Sequence, residues 1–200
     1  SSLEEVVFPS DFGEIVDGMF SLTVALKTIS IPESVTCIGG SAFSQSGLEY
    51  VKLPSGLKAV KTCTFFMCNN LKDITIPSGV ETIEQQAFYK CTSLQSITLS
   101  KALKTLGKMA FSRCAALKSV VIPSSVEKIE ERLFASCQNL TNVFYEGNFE
   151  KWTKIAPDYY SSVTNEYSFS DATIYYYSAE EIKSGNYWHY AADGVTPEIW

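Results

Sequence analysis

The segment LKDITIPSGVETIEQQAFYKCTSL, from Leu71 to Leu94, contains one complete unit of a repeating apolar pattern. Its pattern of apolar residues recurs along the chain at intervals of about 23 residues. The clearest register is a phenylalanine series: Phe20, Phe43, Phe65, Phe88, Phe111 and Phe134. A leucine series keeps the same interval: Leu3, Leu26, Leu48, Leu71, Leu94, Leu117 and Leu140. Self-similarity at this period predicts a solenoid, because a single unit cannot bury its own apolar face and must stack on its neighbours.

Each unit predicts one strand followed by a turn. Ile74, Thr75 and Ile76 alternate apolar, polar and apolar, which is the pattern of a half-buried strand. Stacked copies are expected to form a parallel sheet with Ile74 and Ile76 facing inward. Pro77 ends the strand because proline has no N–H to donate. The stretch from Ile83 to Cys91 predicts a short helical turn or irregular coil on the opposite side, and the phenylalanine rings predict a stacked or edge-to-face spine.

The unit Ile-Pro-x-Ser/Gly-Val-x-x-Ile-Gly/Glu-x-x-Ala-Phe-x-x-Cys-x-x-Leu resembles the BspA-like, Treponema-type branch of leucine-rich repeats. Such repeats occur in bacterial surface proteins and in some parasitic protists, and the resemblance covers roughly residues 3–145. It implies an α/β-type solenoid, a right-handed superhelix with one parallel sheet on the concave side, mostly strand and irregular coil with short helical turns. It also implies an extracellular, cell-surface location and an adhesive role.

The repeat stops near Tyr145, so we divide the chain into a six-repeat solenoid, residues 1–145, and a capping region, residues 146–200. The capping region is rich in aromatic residues, and a solenoid needs its last apolar face covered. Within it we predict an amphipathic helix at 149–155, a sheet-continuing strand at 172–177, and a hairpin with an Asp-Gly turn between 187 and 200. A sugar-binding aromatic platform is the alternative role for this region.

The start of the chain falls inside a repeat, just before a predicted strand from Leu3 to Phe8. We therefore expect a segment of a longer protein, in which any export signal or anchor lies outside this sequence.

Four cysteines occupy one position in successive units: Cys68, Cys91, Cys114 and Cys137. Parallel side chains in register hold their Cβ atoms at nearly the strand spacing of about 4.8 Å, which is longer than the roughly 3.8 Å that a disulfide prefers. Cysteine also behaves as a small buried hydrophobe. We predict buried free thiols, with disulfides as the alternative. A metal site is disfavoured because its ligands must converge on one point.

Composition argues against several classes of function. The formal net charge is −6, and lysines are scattered among acidic residues, which disfavours a nucleic-acid partner. No apolar run reaches the roughly 18–20 residues that span a bilayer. His189 is the only histidine and lies in an aromatic segment, where packing or surface placement is expected. The sequence has neither a phosphate-binding loop nor a dinucleotide fingerprint. We predict no catalytic residue, metal or cofactor, and hence no enzyme activity.

The outward strand positions lie two and four residues after each repeat leucine, and they form the candidate binding face. The candidate residues are Tyr50, Lys52, Asp73, Thr75, Ser96, Thr98, Val121 and Phe144. We expect a monomeric, non-enzymatic binding or adhesion module that recognises a protein or glycan of a host or neighbouring cell. Two alternatives remain: a structural spacer that projects another module, and carbohydrate binding through the aromatic C-terminal region. For the strand positions alone, ordinary solvated residues are the competing interpretation, since Thr and Val favour strands in any case.

Overall fold

The computed structural model describes residues 2–156, 169, 172–182 and 184–200. The chain winds as a solenoid of parallel strands and irregular turns, and the strands are numbered here in chain order. The predicted fold class is confirmed. Residues 157–168 of the capping region lie outside the described residues, as does Ser1.

The first row of strands contains one strand from each coil after the first. These strands are β2 (Thr28–Ser30), β4 (Tyr50–Lys52), β6 (Asp73–Thr75), β8 (Ser96–Thr98), β10 (Ser119–Ile122) and β12 (Asn142–Tyr145). The pairs β2–β4, β6–β8 and β10–β12 are parallel and in register, so that Asp73 lies opposite Ser96 and Thr75 opposite Thr98. Ile74 and Ile76 are buried, whereas Thr75 is exposed. The predicted alternation is therefore confirmed.

A second row of two-residue strands was not predicted. It consists of β1 (Glu14–Ile15), β3 (Cys37–Ile38), β5 (Ala59–Val60), β7 (Thr82–Ile83), β9 (Thr105–Leu106) and β11 (Lys128–Ile129). β5, β7, β9 and β11 form one parallel sheet, and β1 pairs with β3. In β7 only Ile83 is buried. Two residues are too few to show a period of two, so the pattern could not distinguish this strand from coil.

The loops opposite the strands are held by hydrogen bonds between coils, not within a helix. Gln86 and Lys90 have positive φ values of 54° and 57°, and equivalent pairs recur in the other coils. The N–H groups of Gln86, Phe88 and Lys90 donate to carbonyl oxygens of the next coil at 3.0, 2.8 and 2.8 Å. A left-handed residue costs roughly 1–2 kcal/mol. The inter-coil hydrogen bonds offset that cost, and they explain why this segment is an irregular turn, the second of the two predicted forms, and not a helical turn.

The phenylalanine spine runs through the core as predicted. Consecutive rings of the series from Phe20 to Phe134 have centroids 5.2–5.5 Å apart and planes within 14° of parallel. All six side chains are buried. Identical side chains in identical backbone positions stack in parallel, so the interior rings do not adopt the edge-to-face arrangement.

A second line of hydrogen bonds between coils comes from one cysteine position, which we call the cysteine ladder: Cys68, Cys91, Cys114 and Cys137. All six cysteines are unlinked, and the four ladder thiols are buried, which confirms the predicted free thiols. Cys91 Sγ donates to the Phe65 carbonyl oxygen at 3.1 Å, and that oxygen also accepts from the Cys68 N–H. Burial raises the pKa of the Cys91 thiol well above its ordinary value, which keeps the proton needed for this bond. Ser46 and Thr23 fill the equivalent position in the first two coils, so each coil has an S–H or O–H group there.

The N-terminal segment differs from the prediction. Residues 2–9 form no strand, and Val7 is 86% exposed. Instead, Phe8 packs edge-on against Phe20 at 5.9 Å and lies 4.7 Å from Phe12. A strand here would pair with β2 alone, whereas the observed segment places the Phe8 ring against the first ring of the spine, with Phe12 packed on Phe8.

The C-terminal elements match the predicted ones. Helix α1 (Phe149–Ile155) begins after Asn148, whose side chain accepts from the Lys151 N–H at 2.9 Å. Strand β13 (Thr173–Tyr177) continues the first row in parallel with β12. Strand β14 (Tyr187–Tyr190) pairs with β13, and β15 (Pro197–Ile199) turns back antiparallel to it. The turn between them includes Gly194, at φ 70°.

Candidate binding face

The outward side chains of β4, β6, β8 and β10 form an exposed surface, which we call the strand face. Six of the candidate residues are exposed on it: Tyr50, Lys52, Asp73, Thr75, Ser96 and Thr98. Val121 is half-buried at its C-terminal end. The strand register places these residues in two rows across successive coils.

Phe144 does not belong to the exposed surface, and its prediction as a binding residue is corrected. The side chain is only 4% exposed. Its ring packs against Trp188 at 5.3 Å and against Tyr175 at 5.4 Å. The hairpin of β14 and β15 packs on this end of the sheet. The alternation of residues within β12 cannot predict this contact, because Trp188 is distant in sequence.

An open groove of about 700 Å³ crosses the strand face beside β4 and β6, and we call it the first groove. Lys52, Asp73 and Thr75 line it, together with Glu33 and Ser55 from the turns. The Glu33 carboxylate accepts from the Ser55 N–H at 2.8 Å, the Ser55 hydroxyl at 2.9 Å and Lys52 Nζ at 3.0 Å. These bonds, the Ser55 N–H first, lower the pKa of Glu33 to about 2. The first groove therefore has on its rim an ionised carboxylate that accepts three hydrogen bonds.

Tyr50 is a second feature of the strand face. Its side chain is 47% exposed, and Lys72 Nζ lies 5.1 Å from its ring centroid. Lys72 also donates to the Glu49 carboxylate at 2.7 Å, and this bond lowers the pKa of Glu49. The cation held over one face of the ring restricts its orientation. An exposed aromatic ring with restricted orientation is the type of residue that dominates binding energy in protein interfaces.

A smaller cavity of about 420 Å³ lies where the hairpin meets the strand face, and we call it the hairpin pocket. Thr98 and Val121 of the strand face form one side, and Tyr190 and Val195 of the hairpin form the other. The remaining lining residues are Ile97, Leu99, Lys101, Pro123 and Gly194.

The polar side of the hairpin pocket is a closed network. The Glu146 carboxylate accepts from Lys101 Nζ and from the Tyr190 hydroxyl, and Lys101 Nζ also contacts the Tyr190 oxygen at 3.1 Å. Sequence reasoning missed Lys101, Tyr190 and Glu146 because they come from turns and from the C-terminal region. The only irregularity of the repeat next to Lys101 is Ser100, which replaces the proline found at this position in the neighbouring units.

The described residues include no group of three or more His, Cys, Asp or Glu side chains that could hold a metal ion. His189 packs as expected: its ring stacks on Trp200 at 3.8 Å, and its Nε2 lies 3.7 Å from the Glu198 carboxylate. Within the same part of the chain, no helix is long and apolar enough to cross a membrane.

Solved bacterial proteins share this fold. A leucine-rich repeat protein from Eubacterium ventriosum is 33% identical, with a TM-score of 0.60, over 64% of this chain and 35% of its own. One from Bacteroides ovatus is 24% identical, with a TM-score of 0.55, over 72% of this chain and 49% of its own. The pneumococcal vaccine antigen PcpA is 18% identical, with a TM-score of 0.54, over 88% of this chain and 57% of its own.

The chain thus spans about half or less of the first two solved chains. No curated protein matches it. At the level of families, the BspA type leucine rich repeat region matches in six copies, over residues 1–85 and 62–178. With its stacked coils, phenylalanine spine and in-register strands, this chain belongs to the BspA-type leucine-rich repeat family.

Proposed function

We propose that this chain is a non-enzymatic binding module of a bacterial cell surface, and that its strand face recognises a protein of a host or neighbouring cell. The observation that carries the proposal is the strand face itself, where Tyr50 and Lys52 are exposed beside an open groove, with Tyr50 in contact with Lys72 and Lys52 paired with Glu33. Extended surfaces of stacked repeats are commonly used for binding. The family membership supports the cell-surface location, and the adhesive role is part of the proposal.

The spacer alternative requires a smooth face lined by small hydroxyl residues. The strand face differs from that description because it has Tyr50, Lys52 and Asp73 exposed and two concave sites. These features favour binding over a purely structural role.

The carbohydrate alternative depends on exposed aromatic rings in the C-terminal region. Trp152 and Trp188 are both fully buried, and the Trp188 indole N–H donates to the Tyr145 carbonyl oxygen at 3.0 Å. Glycan platforms require accessible ring faces, so these two residues support a packing role. Within the described part of this region, the carbohydrate alternative is thereby limited to the exposed rings of Phe149, Tyr177 and Trp200, and we favour a protein ligand for the strand face.

The buried rings also support our proposal that residues 146–200 are a cap. Phe169 lies 5.8 Å from Phe134, the last ring of the spine, and Trp152 packs against Phe169 at 5.2 Å. These rings cover the apolar end that the last coil would otherwise expose to water.

The binding proposal is tested by screening the chain against extracellular-matrix proteins and glycans, and then measuring each hit with two matched double variants. Tyr50→Ala with Lys52→Ala removes two strand-face side chains. Tyr89→Ala with Lys90→Ala removes the same residue types from the loops on the opposite side. We expect the first double variant to weaken binding by at least about 2 kcal/mol, as for a hot-spot residue, and the second to leave it unchanged. Equal affinities of the two variants would contradict the proposal.

A further inference from the structure

The hairpin pocket is a recess of the strand face whose aliphatic walls come from two distant parts of the chain. Among the eight outward positions of β4, β6, β8 and β10, Val121 is the only aliphatic residue. Across the pocket, Val195 is 72% exposed at the hairpin turn. Leu99 and Pro123 complete the apolar wall. Two valines from distant parts of the chain thus border the same open space, and burying them would be favourable.

The charges around the hairpin pocket compensate one another. The Glu146 side chain is only 13% exposed, and Lys101 opposes its negative charge. Lys101 is 67% exposed and has three N–H donors, of which the Glu146 and Tyr190 contacts use two. The third has no partner in the described part of the chain. The pocket therefore offers a hydrogen-bond donor at its edge without a net charge.

The pocket also lies at the closed end of the strand face. A ligand that extends across β4, β6, β8 and β10 meets the hairpin directly after Val121, because Trp188 covers the next outward residue, Phe144. An extended ligand can therefore place one group in this recess while the rest of it follows the two exposed rows.

We propose that the hairpin pocket binds a single large apolar side chain, leucine or phenylalanine, of an extended polypeptide, with Lys101 donating to a peptide carbonyl oxygen. This inference rests on the proposed function and names the anchor that the ligand supplies. The volume of about 420 Å³ lies within the usual range of ligand pockets, roughly 300–1,000 Å³. Aliphatic walls with one or a few polar groups at the edge are the usual lining of such sites.

Sugars and fatty acids fit the hairpin pocket less well. Its one aromatic ring, Tyr190, has Lys101 Nζ 5.4 Å from its centroid, so the cation obstructs a sugar that would stack there. A fatty acid needs a cation for its carboxylate, whereas Lys101 is already neutralised by Glu146. A peptide carbonyl oxygen requires only a hydrogen-bond donor, which Lys101 supplies.

The test uses capped pentapeptides, Ac-Gly-Gly-X-Gly-Gly-NH2, in which X is Leu, Phe, Ala or Glu, with maltose and octanoate as the other two probes. Methyl NMR signals of Val121 and Val195 are followed during titration to millimolar concentrations. We expect the Leu and Phe peptides to shift both residues in a saturable manner, and the other four probes to leave them in place.

Two variants and a matched control give the second measurement. Val195→Asp and the isosteric Val121→Thr should weaken binding of the Leu peptide, the former by about tenfold or more, as expected for the loss of apolar contact worth about one to two CH₂ groups. Val7→Asp changes another highly exposed valine, in the first coil, and should bind as the unaltered chain does. The hairpin pocket proposal is overturned if the Ala peptide, maltose or octanoate shifts Val121 as strongly as the Leu peptide. It is equally overturned if Val195→Asp binds as tightly as Val7→Asp, or if the Leu peptide moves neither valine.

This result is separable from the proposed function. If a protein ligand loses affinity on the Tyr50 and Lys52 double substitution but no pentapeptide reaches Val121, the strand face binds without this anchor. If the Leu peptide binds and no protein ligand responds to that double substitution, the hairpin pocket proposal is supported and the proposed binding of a protein by the strand face is contradicted.

Discussion

Phe88→Ala should be among the most damaging single substitutions in the chain. Phe88 is fully buried and stacks between Phe65 at 5.2 Å and Phe111 at 5.3 Å, with both ring planes within 8° of parallel. Truncating a buried phenylalanine costs about 3–5 kcal/mol. Aromatic contacts contribute about 0.5–1.5 kcal/mol each beyond their buried area, and this ring has one on each face. We therefore expect a loss of about 4–5 kcal/mol, the upper part of the range.

Urea denaturation followed by circular dichroism measures this loss. Because typical domains have only about 5–15 kcal/mol of stability, Phe88→Ala could unfold the chain outright, and complete unfolding would agree with the expected magnitude. Phe149→Ala is the matched control: this ring is 52% exposed, and its removal should cost less than about 1 kcal/mol. A Phe88→Ala variant that folds and loses under about 2 kcal/mol would contradict the expected loss. In a close-packed spine, removing this ring must leave a cavity and must remove two ring contacts, and both changes lower the free energy of unfolding.

Three further predictions concern the thiols, the cap and the first groove. The denatured chain should yield six free thiols without reductant in a colorimetric thiol assay, and one stoichiometric disulfide within the cysteine ladder would contradict the geometric argument. A chain ending at residue 145 should be insoluble or unfolded, because the spine would end in water at Phe134; cooperative melting of a soluble monomer would contradict the cap. Glu33 should titrate near pH 2 in a carboxyl NMR titration, because its folded pKa is depressed from 4.5. Its stabilising contribution is thus complete above about pH 4.5 and is lost as the pH falls toward 2, whereas an ordinary titration midpoint would contradict the three hydrogen bonds to Glu33.

Features set by local periodicity could be predicted from the sequence. The alternation of Ile74, Thr75 and Ile76 predicted the strand β6, and the regular spacing of phenylalanine predicted the stacked spine. Identical residues at one position of successive coils must meet, so a repeat converts sequence spacing directly into contacts. The same logic predicted that the cysteines stay unlinked, because side chains in register are held too far apart.

Features set by hydrogen bonding or by distant contacts could not be predicted in this way. Nothing in the apolar pattern signals that Gln86 and Lys90 adopt positive φ, or that the Cys91 thiol donates to a carbonyl of the preceding coil. The sequence pattern placed Phe144 on the exposed face because it treats every unit alike, whereas Trp188 of the hairpin packs against this particular outward residue. The hairpin pocket follows from that same contact.

Hydrogen–deuterium exchange with a protein ligand identified in the screen tests whether the chain binds through its strand face. We expect slower exchange on binding in β4, β6 and β8 and in the hairpin turn around Val195. We expect no change in the opposite loops around Lys90 and Arg113. Protection confined to those loops, with the strand face unaffected, would contradict the proposed function.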